Sequence, residues 1–521
     1  MARIFFKFRQ DLYVFPDPAA KFKETGREDL LVRGGDGLVE KFDHSTFISP
    51  FTWRYGSAEM RRIFSEVNCR ATWRKIWVAL AEAQAKYGLV TRKELADLKS
   101  KMGPEHVNLK RAHEIEREIK HDLMAEVKTY AEQCRFGGKK IHLGATSMDI
   151  EDNADALRIR DGLDILLTRL VNCLDSLSDK ISKYRDLPCI GWTHLQPAEP
   201  TTLGYRLAGY AQDLVFDIKA VEMLLQHFVR GKGIKGAVGT SASFRALLKG
   251  KGKPSDLEGQ VMKKLGLKAF HISTQTSPRK MDYMVLSVLA SIAQSAHKFG
   301  VDLRHLQSPA FGELSEPIRR SQVGSSAMPF KKNPVSAERM CSLARYVGTL
   351  PRVMWENAAQ TILERTLDDS ANKRVVIAEG FLAVDECLTI YEWIVRGMRI
   401  YPKMIKRNLK RYAPFAAVEA ILMRLVERGG DRQLMHEKLR ALSFRAWEEV
   451  MDGKENPLPK LLKRDRDVSS KLTIKEIEKT LDIREHLGDA SERCESFMKT
   501  LVKPILSRYE DRLGKRRDIE F

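Results

Sequence analysis

Gly324 to Pro334 read GSSAMPFKKNP, which places two hydroxyls, two ammonium groups and an amide between a glycine and a proline. Gly324 opens backbone angles closed to other residues, and Pro334 ends the segment with a fixed φ. Ser325, Ser326, Lys331, Lys332 and Asn333 supply hydrogen-bond donors for closing over an anion, with Met328 inside the same loop. An ordinary basic surface loop has the same composition, so the segment gains meaning only from company.

Three further segments provide it: TSMDIEDN (146–153), THLQPAEPTT (193–202) and ERTLDDSANKR (364–374). Thr146, Ser147, Asp149, Thr201 and Thr202 are residue types that cap helices, and capping accounts for any one of them. Capping does not call for His194 or Gln196. Nor does it explain Arg365, Ser370, Lys373 and Arg374, which concentrate donors suited to phosphate or carboxylate.

Long helices must position these segments. Leu163, Leu166, Leu170, Leu174, Leu177, Ile181 and Tyr184 recur at steps of three and four. So do Leu207 to Phe228 and Met281 to Leu306, with further helical patterns over 335–350 and 374–396. Each of the first three exceeds about 20 residues and about 30 Å, which suits a bundle whose helices are entered through the polar segments. Alternating strand patterns are scarce, and no repeat of fixed period is visible. The expected fold is all-α with three domains: 1–145, shorter helices preceded by an irregular extension over about 1–45; 146–400, the long-helix bundle; and 401–521, more helices, with Pro402 and Pro414 as punctuation and Pro457 and Pro459 marking a loop.

Composition narrows the classes. A length of 521 residues permits a large core. Seven scattered cysteines, never in a C-x-x-C pair, argue against a disulfide framework and a zinc site, and for a reducing, cytoplasmic setting. No apolar run is long enough to span a membrane. The basic, aromatic start MARIFFKFRQ is soon followed by Asp11 and Asp17 and lacks serine, unlike a transit peptide. The formal charge of +20 is spread along the chain, with clusters at 249–253, 461–467 and 514–518, and no nucleic-acid motif accompanies it. A solvated basic surface that steers small anions fits better than nucleic-acid binding.

THLQPAEPTT, GSSAMPFKKNP and ERTLDDSANKR resemble the three diagnostic segments of the fumarase/aspartase superfamily. The last two, with WRYGSAEM (53–60) and KHDLMAEV (120–127), are similar to its branch that splits succinyl-amino nucleotides. The resemblance implies a cofactor-free, metal-free β-elimination that releases fumarate from succinyl-AMP, and from the succinylated aminoimidazole carboxamide ribotide. A base takes the proton beside a carboxylate, the carbanion's charge needs preorganised donors, and an acid protonates the leaving nitrogen. By the family pattern Ser325 resembles the base, His194 the acid, Lys331 the charge stabiliser and Glu338 the carboxylate that orients His194. His121 and Asp122 match a site His-Asp pair, Arg54 and Tyr55 a nucleotide-contacting pair, and Thr146 and Ser147 the residues holding a succinyl carboxylate. Arg339, Arg365, Ser370 and Arg374 match further substrate contacts, several around the phosphate, and Gln196, Ser326, Met328 and Asn333 join the binding set.

Two positions depart from the pattern. Lys120 stands where some members carry arginine, and Ser241 where some carry a longer glutamine. His142 reads as a structural hydrogen-bonding residue, and His227, His297 and His305 as packed or solvated. The resemblance also implies a homotetramer whose sites draw on three subunits. The competing readings are another superfamily lyase, such as one acting on argininosuccinate, which has no phosphate for Arg365, Ser370 and Arg374 to meet, and a non-catalytic basic binding protein on the same fold.

Overall fold

The structure is a computed structural model that describes residues 31–34, 37–40, 44–319 and 326–520. It forms two compact units, Met1–Thr52 and Trp53–Phe521. In the first, expected to be irregular, Leu31–Gly34 pairs antiparallel with Gly37–Glu40.

The second unit is built on five helices: α1 (Ser147–Lys183), α2 (Leu203–Met223), α3 (Lys280–Gln307), α4 (Val335–Val347) and α5 (Asp369–Gly397). All five expected helical patterns form, and the sequence periodicity explains why. Leu163, Leu166, Leu170, Leu174, Leu177 and Ile181 on α1 have no solvent exposure, and each such side chain contributes about 1.5–3 kcal/mol by leaving water. Helix α5 is buried on nearly every side from Val376 to Val395 and packs against α1, α3 and α4, so it is the bundle's centre. Its approach to α1 requires Gly162, where a Cβ would stand 2.9 Å from the Phe381 ring.

Arg279, just before α3, fixes the direction of three helices. Its guanidinium reaches Asp152 of α1 at 2.8 Å and Asp369 of α5 at 2.6 Å, so α1, α3 and α5 start together and run parallel. Helices α2 and α4 return between them: Gly204 abuts Arg185 just past the end of α1, and the Gln307 amide at the end of α3 donates to the Lys332 carbonyl just before α4 at 3.0 Å. The α4 pattern stops at Val347 and resumes as Leu350–Ala359, and the α2 pattern closes in a π-turn, Leu224–Phe228.

Several expectations fail locally. THLQPAEPTT does lead into α2, but as a strand the patterns did not show: Pro188–Thr193 and Gln196–Thr202 form an antiparallel hairpin. Its prolines hid it from a strand reading. The prolines are tolerated because a two-stranded hairpin is all edge, and the Arg206 guanidinium takes the Ile190 carbonyl. TSMDIEDN does not precede α1 but forms its first turns from Ser147 onward. Pro414 lies inside the continuous helix Pro402–Glu427, and Pro459 lies in the first turn of Leu458–Arg464, where its missing N–H is harmless.

Candidate active site

The site residues fall into four groups. The first gathers at the shared start of α1 and α5. Thr146 caps α1, its N–H donating to Asp149 at 3.0 Å. Asp149 is fully buried and also receives the Lys232 ammonium and the N–H groups of Lys235 and Gly236, both at 3.0 Å. This ties loop 231–236 to the first turns of α1. Ser241 follows in the left-handed region at φ 57°, its N–H on the Lys235 carbonyl at 2.8 Å, which ties it to the same loop.

His121 caps the helix Asp122–Gln133, its ring accepting from the Met124 N–H at 3.5 Å. Lys120 precedes it with φ 55°. Asp122 pairs with Arg374 of α5. Burial works to raise the Asp122 carboxyl, but the Arg374 guanidinium outweighs it and holds the group below its usual range. Ser370 occupies the first turn of α5, and Arg365 sits half-buried on the turn before it, its N–H on the Ile362 carbonyl at 3.1 Å.

Lys373 is the exception in that segment. Expected among the anion donors, it points inward and pairs with Asp155 at 3.0 Å and Asp282 at 3.4 Å. Successive helical residues diverge by about 100°, so Lys373 and Arg374 cannot face the same way. Its buried network, with Arg279, Asp152 and Asp369, locks α1 to α5 and so sets the spacing between Ser147 and Arg374.

Glu151, which the motifs did not single out, is on the same face of α1 as Ser147, one turn on. Burial, with Asp122, Asp152 and Asp155 adding to it, pushes its carboxyl up to about 8. The i, i+4 spacing from Ser147 was the available signal. Nearby His142 accepts the Trp77 indole N–H at 3.1 Å, the structural role expected of it.

The second group is the hairpin tip. His194 and Leu195 take φ of 54° and 59°, the angles of a tight hairpin turn, and His194 and Gln196 are exposed. Trp192 anchors the hairpin edge-on against Phe311 at 4.7 Å and Tyr412 at 5.6 Å. A non-glycine pair held at positive φ is strained backbone, a condition that concentrates at functional sites.

The third group is the segment before α4. Ser325 and Gly324 lie outside the described residues. Ser326, Met328 and Lys331 are exposed, Asn333 is half-buried, and Glu338 is exposed one turn into α4. The first N–H groups of α4 are satisfied from a distance, by Glu316 at 3.2 and 3.0 Å from Ser336 and Ala337.

The fourth group is the Arg54–Tyr55 turn. Gly56 follows at φ 80°, with Leu382 2.6 Å from where a Cβ would stand. The N–H groups of Gly56 and Ser57 donate to Glu386 at 3.3 Å and Asp385 at 2.6 Å on α5. Arg339 reaches the other oxygen of Glu386 at 3.7 Å, which brings it to the same place.

One protomer does not unite these groups. Helix α1 has 37 residues, about 55 Å, with Thr146 at its start and the hairpin beyond its end. Glu386 lies about 18 Å along α5 from Arg374. Among the described residues, no cluster of His, Cys, Asp or Glu is arranged to hold a metal ion, and no helix is long and apolar enough to cross a membrane.

The long bundle with these motifs at its helix ends is the architecture of a lyase of the fumarase/aspartase type, a class that comparison shows. Residues 55–348 match the model of the lyase family. The fold matches a 3-carboxy-cis,cis-muconate lactonizing enzyme from Pseudomonas putida with a TM-score of 0.76 at 26% identity, covering 89% of this chain and 99% of that one. A fumarate lyase from Mesorhizobium matches at 0.74 and 25%, covering 87% and 98%. Residues 414–497 match the model described as adenylosuccinate lyase C-terminus. Adenylosuccinate lyases of Schistosoma mansoni and Saccharomyces cerevisiae are 40% and 38% identical, over 89% and 91% of this chain and 97% and 98% of theirs. The chain belongs to the adenylosuccinate lyase family.

Proposed function

We infer that this chain splits succinyl-AMP into AMP and fumarate by β-elimination without a cofactor, and performs the analogous cleavage of the succinylated aminoimidazole carboxamide ribotide in purine biosynthesis. The observation that carries the reading is the alignment, over nearly the whole of both chains, with relatives named adenylosuccinate lyase.

In this reading Ser325 is the base that takes the proton beside the succinyl carboxylate. A serine hydroxyl is a poor base until ionised, and Lys331 a few residues on supplies the compensating charge. The carbanion spreads into the carboxylate held by Thr146, Ser147 and neighbouring donors. His194 gives its proton to the leaving nitrogen, and Glu338 orients it. Arg54, Tyr55, Arg339, Arg365, Ser370 and Arg374 bind the nucleotide, where guanidinium forks suit phosphate.

The same reading requires self-association, as a homotetramer in which three chains complete each site, because His194 and Ser147 stand at opposite ends of α1. Tyr205, Phe216 and Met223 on α2 support it: spaced by 11 and 7 residues they share one helix face, and they are 42%, 61% and 54% exposed. A cytoplasmic location and the division of the chain near 145 and 400 belong to the same proposal. The function is tested by following absorbance as the purified protein acts on succinyl-AMP. Fumarate release from argininosuccinate with no turnover of succinyl-AMP would overturn it.

A further inference from the structure

The basic cluster at 514–518 is not used by the reaction, yet it is the most tightly tethered of the three. Residues 512–520 lie along α1 and α5. Arg512 pairs with Asp164 at 2.7 Å, Arg516 with Asp175 at 2.6 Å and with Glu392 at 3.4 Å, and Arg396 with Asp518. Ile519 is buried, and its carbonyl accepts from Arg319 at 2.9 Å.

Arg517 reaches further in. Its Nη2 pairs with Glu520 at 2.8 Å, and its Nη1 stands 3.7 Å from Oε2 of Glu386. Glu386 is the carboxylate that receives the Gly56 N–H beside Arg54 and Tyr55 and faces Arg339, also at 3.7 Å. One buried carboxylate is therefore shared by two guanidinium groups. Neither Nη1 atom, both of them buried, makes a hydrogen bond among the described residues. Arg339 is thus held near Glu386 by charge through its buried Nη1, while its side chain keeps 18% exposure, through which its other guanidinium donors can meet a phosphate oxygen.

We propose that Arg517 is a positioning residue for the phosphate end of the substrate, sharing the charge of Glu386 so that Arg339, beside the Arg54–Tyr55 turn, remains available to the ligand. The proposal rests on the nucleotide-binding roles given above. Without Arg517 the full charge of Glu386 falls to Arg339, which closes onto it and competes with the substrate.

The test compares full-length Arg517→Met, Arg517→Lys and Arg517→Met/Glu386→Gln with the unaltered protein, by kinetics on succinyl-AMP and by calorimetry with AMP. Arg517→Met is expected to raise KM and the AMP dissociation constant ~5–20-fold with kcat within about twofold, the pattern of lost binding common to ground and transition states. Lysine, which keeps the charge, and the double variant, which removes the excess carboxylate, should both return most of the loss. Unchanged KM and AMP affinity in Arg517→Met, with only a lowered melting temperature, would reduce the segment to a structural tie and overturn the proposal. If Arg517→Met does not accumulate, Arg517→Gln, which removes the charge but keeps a polar side chain, gives the same readout. Failure of the unaltered protein to turn over succinyl-AMP strikes the function itself, whereas an active enzyme indifferent to Arg517→Met strikes only this role.

Discussion

Asp122 and Arg374, 252 residues apart in the chain, form an ion pair across the gap between the helix Asp122–Gln133 and α5. Its members differ in exposure, 16% for Asp122 and 63% for Arg374, so a largely buried anion holds an exposed cation. Arg374 waits in a set position at the mouth of the first group.

Removing that anion should therefore cost binding rather than folding. Asp122→Asn is expected to change stability by less than about 1 kcal/mol, as for other partly exposed pairs. KM for succinyl-AMP should rise ~5–20-fold as Arg374 loses its orientation. Steady-state kinetics beside thermal melts check both, and a large loss of melting temperature with normal KM would contradict the assignment.

Glu151 makes a pH signature. Its carboxyl titrates at about 8 in the folded protein against 4.5 for a free glutamate. Between those values the native state holds a proton that the unfolded state has lost, so this group makes stability fall as pH rises from 4.5 to about 8 and level off above. Glu151→Gln removes the slope. Melts of the two proteins across that range should coincide at the acid end and diverge upward, with the variant more stable. Parallel curves would contradict the burial of this carboxyl.

Lys232 and Asp149 are both without solvent exposure. Lys232→Met leaves the carboxylate with backbone N–H donors alone, and breaking a buried pair in this way typically costs about 3–5 kcal/mol. Denaturant titration should show the unfolding free energy fall by that amount. An unmoved midpoint would show that the backbone donors suffice.

The separation of His194 from Arg374 along α1 makes a prediction about mixtures. His194→Ala and Arg374→Met, each expected to be inactive or nearly so with helical content intact, should regain turnover when dissociated and reassembled together, because some sites then draw an intact copy of each group from different chains. Activity no greater than the sum of the parents would exclude shared sites.

Helix periodicity was legible because it is a local property. The steps of three and four in α1, α2 and α3 answer directly to the faces that the bundle buries. The hairpin at 188–202 was not legible: its prolines and polar residues argue against strands one by one, and it is held by partners from elsewhere in the chain, Arg206 of α2 on the Ile190 carbonyl and Phe311 and Tyr412 on Trp192. Lys373 was misread for a similar reason, since a string of donors does not say which of them faces inward onto Asp152, Asp155 and Asp282.

The sequence by itself determined the helical class, the family and the identity of the polar segments, since these rest on residue types and spacing within short stretches. The tertiary structure decided where those segments stand: Asp122 against Arg374, Glu386 between Arg339 and Arg517, and His194 a helix length from Ser147. Such relations depend on contacts between residues hundreds of positions apart, and on a helix of about 55 Å that separates Thr146 from the hairpin tip.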